Sequence, residues 1–226
     1  MSVRKAWTLL ATVWAATTAL AAESAQVTAP APPGLRFEQV FSDHGEPRAL
    51  HFQARFSAGG VSHNLEVWRD GQERLLRRTD DAIETHVARK PGTPFFELVV
   101  LDLRRKIETR ITRDDLYRIG SFTDWFDLAH GLRYPKGGYL LTASAAPAQA
   151  PQTVEPCNWY TLVTGSRRTA LCWDTGVYLP LVMIDEAGRL LWQVTSVERK
   201  PPPAAVFEVH DHGFVRANAS QDIDRD

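Results

Sequence analysis

The chain has 226 residues, of which 44% are hydrophobic and 23% are charged. This composition is typical of a globular protein and excludes a largely disordered chain. The 26 Lys and Arg residues nearly balance the 27 Asp and Glu residues, which gives a net charge of −1. General nucleic-acid binding needs an excess of positive charge, so we expect no nucleic-acid partner.

The N-terminus predicts an export signal. A short basic start precedes the uncharged apolar run Ala6–Leu20, and Ala19 and Ala21 supply the small residues that precede a cleavage site. The run is shorter than the roughly 20 residues that a membrane-spanning helix needs. We therefore predict a signal peptide at 1–22 that is cleaved on export to the periplasm, and a protein that is not an integral membrane protein.

Alanine- and proline-rich stretches organise the rest of the chain. We predict a linker at 23–34, a single β-rich domain at 35–219 and a polar tail at 220–226. A second Pro/Ala-rich stretch, 143–156, is interpreted as a loop inside the domain. A domain boundary there would leave the C-terminal part with a thin core.

Cys157 and Cys172 are the only cysteines, and in an exported chain they predict a disulfide. The residues between them are typical of two strands around a turn. A hairpin centred between Thr164 and Gly165 places the two cysteines directly opposite each other, within bridging distance. The alternative of a metal or nucleophilic pair lacks the close C-x-x-C spacing of four-ligand sites.

Alternating apolar and polar residues predict a hairpin around Gly59-Gly60. With these glycines as the loop, the apolar partners of both strands share one face. The register pairs Phe52 with Val67, Ala54 with Leu65, and Phe56 with His63. Further strands are predicted at Gln72–Thr79, Ala82–Arg89, Phe95–Leu101, Lys106–Thr112, Leu179–Ile184 and Leu190–Arg199. Arg77 and Arg78 form a short basic patch. Such a patch can contact anionic lipid head groups, but a solvated strand face is the interpretation that we favour.

Two short helices interrupt the strands. Thr112, followed by Asp114 and Asp115, predicts the start of the first helix, which Gly120 ends. Ser121 is predicted to cap the second helix. The apolar stripe of that helix contains Phe122, Trp125, Phe126 and Ala129.

These elements predict an α+β, mainly β fold: a single, strongly curved antiparallel sheet, or half-open barrel, with short helices on the concave face. A sheet of about eight to eleven strands must curl and so has an inside. That inside is either a ligand cavity or a filled core, because pockets and cores share a composition. The predicted cavity and lid residues are Phe52, Phe56, Leu65, Val67, Phe96, Leu98, Phe122, Trp125 and Phe126.

Several segments resemble the lipoprotein-carrier (LolA-like) superfamily of the periplasm. One is Glu66-Val67-Trp68-Arg69-Asp70-Gly71, and another runs from Cys172 to Leu181 and is similar to that family's strand, turn and Leu-Pro step. The segment Leu191-Trp192-Gln193-Val194-Thr195 and Phe207 are similar to its closing strands. The resemblance implies a half-open β-barrel with a helical lid, and a role in carrying lipoproteins or in sensing them as a regulator.

The catalytic alternative depends on His210 and His212. On a strand these side chains would share a face and could bind a metal with Asp222 or Asp224. A metal site also needs a third placed ligand and supporting hydrogen bonds. The chain has no Gly-x-Ser-x-Gly, His-Glu-x-x-His or Walker motif. We therefore expect no catalytic residue, no metal and no cofactor.

The sequence thus predicts a periplasmic, non-enzymatic binding protein that holds a lipid, an acyl chain or a lipoprotein moiety in a half-barrel cavity. The expected partners are that apolar ligand or a lipidated protein, and an inner- or outer-membrane protein of the cell envelope. Two alternatives stay open. One is a regulatory or interaction protein of the same fold without lipid cargo, and the other is a metal-binding enzyme.

Overall fold

A computed structural model describes residues 34–90, 92–93, 95–118 and 123–218. The predicted signal peptide at 1–22, the linker up to residue 33 and the tail at 220–226 lie outside these residues, as do Ser121 and Phe122. Within the described ranges, no helix is both long enough and apolar enough to cross a membrane.

The described residues form one sheet of twelve strands, in the order β12-β6-β5-β4-β3-β2-β1-β11-β10-β9-β8-β7. The strands are β1 (Ala49–Ala58), β2 (Val61–Asp70), β3 (Arg74–Thr79), β4 (Ile83–Arg89), β5 (Phe96–Asp102), β6 (Ile107–Thr112), β7 (Tyr139–Ala143), β8 (Asn158–Thr164), β9 (Arg167–Asp174), β10 (Leu179–Asp185), β11 (Leu190–Glu198) and β12 (Val215–Asn218). The helices are α1 (Phe37–Val40), α2 (Arg113–Arg118) and α3 (Trp125–His130), with a 3-10 helix at Ala204–Phe207. The mainly β fold is therefore confirmed.

The predicted register of the first hairpin is confirmed. Phe52 pairs with Val67, Ala54 with Leu65, and Phe56 with His63. The turn between β1 and β2 needs two residues with positive φ, and Gly59 and Gly60 supply φ values of 58° and 79°. Alternation and turn chemistry specify the same pairing, which is why the sequence predicts it.

The prediction of a wholly antiparallel sheet is wrong at one edge. β12 runs parallel to β6, with Val215 opposite Ile107. After β11, in the middle of the sheet, the chain crosses to the far edge before it forms β12. A strand of four residues is too short for its alternation to be recognised. The sheet is also not closed into a barrel, because β12 and β7 form its two edges.

One face of the sheet packs against α2 and α3. Phe52 and Val67 from the sheet belong to the same buried apolar cluster as Leu116 of α2 and Trp125 of α3. α2 begins as predicted: Thr112 Oγ1 accepts from the backbone N–H of Asp115 at 3.2 Å. The two helices therefore share a face of the sheet with the inward positions of the first hairpin.

α3 begins at a different cap from the one predicted. The side chain of Asp124 accepts a hydrogen bond from the backbone N–H of Asp127 at 2.8 Å. Gly131, at a φ of 69°, ends the helix in the left-handed conformation that favours glycine. The predicted cap Ser121 lies outside the described residues.

The predicted disulfide joins Cys157 and Cys172, with 5.5 Å between the Cα atoms. The predicted register is wrong by two residues, because the turn lies at Gly165-Ser166 and Trp159 is the residue opposite Cys172. Cys157 comes just before β8. Cys172 packs with Val182 and Ile184 on the opposite face from the helices, where the loop that contains Ala150 covers them.

Candidate functional site

The structure describes eight of the nine predicted cavity residues, and Phe122 lies outside the described residues. Six of the eight are at most 6% exposed and pack together in one cluster beneath the helices. They are Phe52, Leu65, Val67, Phe96, Leu98 and Trp125. Phe126 packs against a second apolar cluster, and Phe56 is only partly buried. At the six positions the space between sheet and helices is filled by side chains.

Beside this filled region lies a cleft of about 460 Å³ between α3 and strands β1, β10 and β11, which we call the α3 cleft. The volume falls within the range of small-molecule sites, roughly 300–1,000 Å³. The apolar lining consists of Phe56, Leu128, Met183, Leu191 and Trp192. The remaining lining residues are Ser57, Arg77, Thr123, Asp127, Gly131 and Arg133. The cleft is therefore an apolar surface with charged groups at its border.

Gly131 and Trp192 fix the wall of the cleft. A Cβ atom on Gly131 would lie 2.6 Å from a ring carbon of Trp192, so only glycine fits between the end of α3 and this ring. The ring is held from its other end, because Trp192 Nε1 donates to the carbonyl oxygen of Pro180 at 2.7 Å. The indole ring is thus a preformed apolar surface against the last turn of α3.

Arg77 brings a positive charge into the cleft from β3. Its Nη1 donates to the carbonyl oxygen of Leu128 at 3.2 Å. Desolvation lowers the pKa of Arg77 to about 10, an effect that the charge of Asp127 opposes. In the described part of the chain, Arg77 forms no ion pair, and Asp127 acts on it only at longer range.

Arg77 was predicted on a solvated face, but it follows Leu75 on the helix-covered face of β3. Its place in the strand alternation is the signal that could have shown this.

Asp127 is the acidic group of the cleft. Burial raises its pKa to about 6, and the neighbouring charge of Asp124 adds to the rise. Two contacts oppose this rise in pKa: Arg133 Nε donates to Asp127 Oδ2 at 3.1 Å, and the backbone N–H of Tyr134 donates to Asp127 Oδ1 at 3.4 Å. At neutral pH Asp127 is therefore mainly ionised and paired with Arg133, whose side chain is largely exposed.

A buried ionic cluster, which we call the buried triad, holds the C-terminal end of α3. Arg69 of β2 contacts Glu46 and His130, with Nη1 lying 3.0 Å from Glu46 Oε2 and 3.0 Å from His130 Nε2. His130 Nε2 also lies 3.0 Å from Glu46 Oε2, and Nδ1 lies 2.9 Å from the carbonyl oxygen of Phe126. Desolvation lowers the pKa of Arg69, opposed first by Glu46 and then by Asp43.

The sequence pattern did not single out this triad. Arg69 occupies the inward position that follows Leu65 and Val67 along β2, and all three side chains are buried. A charge at an inward position of an alternating strand is a signal for a buried ion pair. Its partners Glu46 and His130 are far away in sequence, so no spacing rule connects them.

A second opening of about 370 Å³ lies near the ends of β4 and β5, beside the start of α2. Phe96 is the predicted cavity residue that lines it. The guanidinium group of Arg89, which lines the opening, lies 5.7 Å from the centre of the Trp125 ring. The other lining residues are Ala88, Lys90, Phe95, Glu97, Thr112 and Asp114.

The histidines considered for a metal site lie in the connection between the 3-10 helix and β12. His210 and His212 are both exposed and belong to no strand, so the interpretation that places them on one strand face is wrong. Asp222 and Asp224 lie outside the described residues. Among the residues that are described, no group of three or more His, Cys, Asp or Glu side chains is placed to hold a metal ion.

No family model and no curated protein matches the chain. Among solved structures it is similar to MucB, with 15% identity, a TM-score of 0.41, and coverage of 76% of this chain and 59% of that one. It is also similar to PNGF-II in a C2 space group, with 10% identity, a TM-score of 0.40, and coverage of 77% of this chain and 32% of that one. The chain thus spans less than two thirds of these proteins. Because the TM-scores are low, the proposals below rest on the geometry of this chain.

Proposed function

We propose that this protein is a periplasmic, non-enzymatic binding protein that holds the apolar part of a lipid, an acyl chain or a lipidated protein in the α3 cleft. The observation that supports this most is the cleft that Phe56, Met183 and Trp192 line beside the filled part of the same face. A strongly curved sheet with α2 and α3 on its concave face, as the resemblance to LolA-like carriers implies, is part of the proposal.

The proposed mechanism is desolvation of the ligand. Each CH₂ group removed from water contributes about 0.8 kcal/mol, so a chain of several carbons can bind without specific polar contacts. Because the buried triad holds the last turn of α3, we propose that a ligand displaces the first turn, which carries Trp125 and Phe126. Such a displacement trades buried area of the helix for buried area of the ligand and keeps release possible.

Native mass spectrometry tests the proposal. The protein, expressed as the full chain and purified without detergent, should carry an additional mass that solvent extraction removes, and should take up decanol afterwards. Leu191 lines the cleft and its neighbour Leu190 does not, so Leu191→Arg should abolish uptake and Leu190→Arg should not. Bare protein that takes up no decanol would argue against the proposal, as would equal effects of the two variants.

A second candidate is an interaction protein of the cell envelope that carries no lipid. The edge strand β7 favours it, because Leu35, Tyr134 and Leu140 are between 40% and 49% exposed there. These residues adjoin one another: Leu35 N–H donates to the carbonyl oxygen of Leu141 at 2.8 Å, and the rings of Tyr134 and Tyr139 lie 6.3 Å apart. Crosslinking in an envelope fraction that Leu140→Lys abolishes, with uptake of decanol absent, would support this candidate.

A further inference from the structure

The α3 cleft contains a cation that the apolar lining does not explain. Arg77 is half-buried and lines the same cleft as Phe56 and Trp192. Its hydrogen bond to the Leu128 carbonyl satisfies one N–H group of the guanidinium, but a neutral carbonyl oxygen leaves the charge without a counterion. An ordinary hydrophobic core excludes such a group unless it is paired.

The other charges at the border compensate Arg77 only in part, because Asp127 acts on it at longer range and forms no ion pair with it. Arg133 and Asp127 form an ion pair with each other at 3.1 Å. Asp127 also accepts from the backbone N–H of Tyr134. The lining of the cleft therefore has two arginines and one aspartate, a net charge of +1 when Asp127 is ionised, and Arg77 is the charge that lacks an ion-pair partner. A cleft of this kind is complementary to a molecule with an apolar part and one negative charge.

We propose that the α3 cleft selects a single-chain amphiphile with an anionic head group, in which Arg77 binds the head group while the chain lies on Phe56, Met183 and Trp192. This inference rests on the proposed function, since it names the class of ligand that the same cleft takes.

The free energy of desolvation is the reason for the selectivity. An apolar chain that fills the cleft removes water from Arg77, and an unpaired charge away from water is strongly unfavourable. A carboxylate, sulfonate or phosphate group on the chain offsets that cost, because guanidinium groups form two parallel hydrogen bonds with such oxygens. A hydroxyl head group offsets it only in part, and a cationic head group adds repulsion.

Isothermal titration calorimetry with ten-carbon probes tests the inference on the protein expressed as the full chain. The probes are decanol, kept below its solubility limit, and decyl sulfonate and decylammonium, kept below the concentrations at which they form micelles. We expect decyl sulfonate to bind about tenfold more tightly than decanol, the size of a hydrogen bond to a charged group, and decylammonium to bind most weakly. Decanoate and decyl phosphate then distinguish a fatty acid from a lipid phosphate as the source of the anion.

Two arginines next to each other provide a matched control. Arg77→Gln should abolish the preference for sulfonate over decanol while decanol still binds, and Arg77→Lys should restore part of it. Arg78 is on the same strand but pairs with Glu84, with Nη2 lying 2.8 Å from Oε1, away from the cleft. Arg78→Gln removes the same charge and should leave the preference unchanged.

The outcomes separate the two proposals. If decanol and decyl sulfonate both bind with equal affinity, or if Arg78→Gln changes the preference as much as Arg77→Gln, the selection of an anion is wrong and the apolar site stands. If none of the probes binds the wild-type protein, the proposed function fails as well. Unfolding curves of each variant confirm that the comparison is made between folded proteins.

Discussion

Phe52 and Phe56 occupy the same strand and the same face of the sheet, yet they belong to different regions. Phe52 is 1% exposed inside the filled cluster, whereas Phe56 lines the α3 cleft. The length of α3 explains the difference. Six helical residues rise about 9 Å, while the ten residues of β1 extend about 33 Å. A helix this short cannot cover the whole strand, so one part of the face is filled and the next part stays open.

The largest change in stability is expected when a phenylalanine side chain is removed from each region in turn. Phe52→Ala should lower the free energy of unfolding by about 4 kcal/mol, because it leaves a cavity among packed residues. Phe56→Ala should lower it by less than about 2 kcal/mol, because the ring already borders open space. Urea unfolding followed by circular dichroism measures both. Equal losses would show that the cleft is as tightly packed as the filled cluster.

Substitutions in the buried triad test whether the stability of the filled region depends on the ion pair at the end of α3. Arg69→Met leaves the carboxylate of Glu46 buried without its arginine partner and with His130 as its remaining contact, and we expect a loss of about 3 kcal/mol. The double variant Arg69→Met with Glu46→Leu removes both charges and should recover most of that loss. Thermal unfolding compares the three proteins. A double variant no more stable than Arg69→Met would mean that the triad contributes mainly through its geometry.

Gly131 marks the boundary between the two regions. Gly131→Ala combines an unfavourable positive φ with a clash against the Trp192 ring, and should cost about 2 kcal/mol while pushing that ring into the cleft. Gly59 also has a positive φ, of 58°, but a Cβ atom there meets nothing within 4 Å. Gly59→Ala should therefore cost only about 1 kcal/mol, and the difference between the two variants isolates the contact with Trp192. If the two variants lose the same free energy of unfolding, the ring of Trp192 is not a fixed wall of the cleft.

The sequence predicts those features that depend on neighbours along the chain. The β1–β2 register follows from alternation around Gly59-Gly60, and the start of α2 follows from Thr112 and Asp115. The disulfide partners were predicted, but their register was not, because the position of a tight turn within Thr164–Arg167 shifts every pair by two. The local pattern also specifies the six further predicted strands, each of which forms within two residues of its predicted bounds.

The α3 cleft and the buried triad depend on distant residues. Whether Phe56 is covered depends on where α3 ends, and α3 (Trp125–His130) lies far from β1 in the sequence. Arg69 and Glu46 are joined only in the folded chain. Alternation predicts which face a side chain occupies, as for Arg77 after Leu75, but it does not predict what lies opposite. Filled and open regions therefore have the same signature in the sequence.

The smallest expected effect concerns the protonation of Asp127. It compares the cleft with this carboxyl protonated and with it ionised. The charged groups that act on this carboxyl are Asp124, Arg133 and, at longer range, Arg77. Because the folded-state pKa of Asp127 is raised to about 6, protonation favours the folded protein. This contribution to stability is fully present below the pKa of the unfolded chain and is lost as the pH rises through about 6. Asp127→Asn should therefore gain stability relative to the wild type between pH 4 and pH 7.

The same protonation should change the binding of an anion. As the pH falls from about 7 to about 5, Asp127 loses its negative charge, and the affinity for decyl sulfonate should rise about threefold, the size of one partly screened charge interaction. The sulfonate stays ionised over this range, so the change belongs to the protein. Calorimetry on Asp127→Asn tests the assignment: the pH dependence of binding should disappear in this variant, and a pH dependence that persists would show that Asp127 does not cause it.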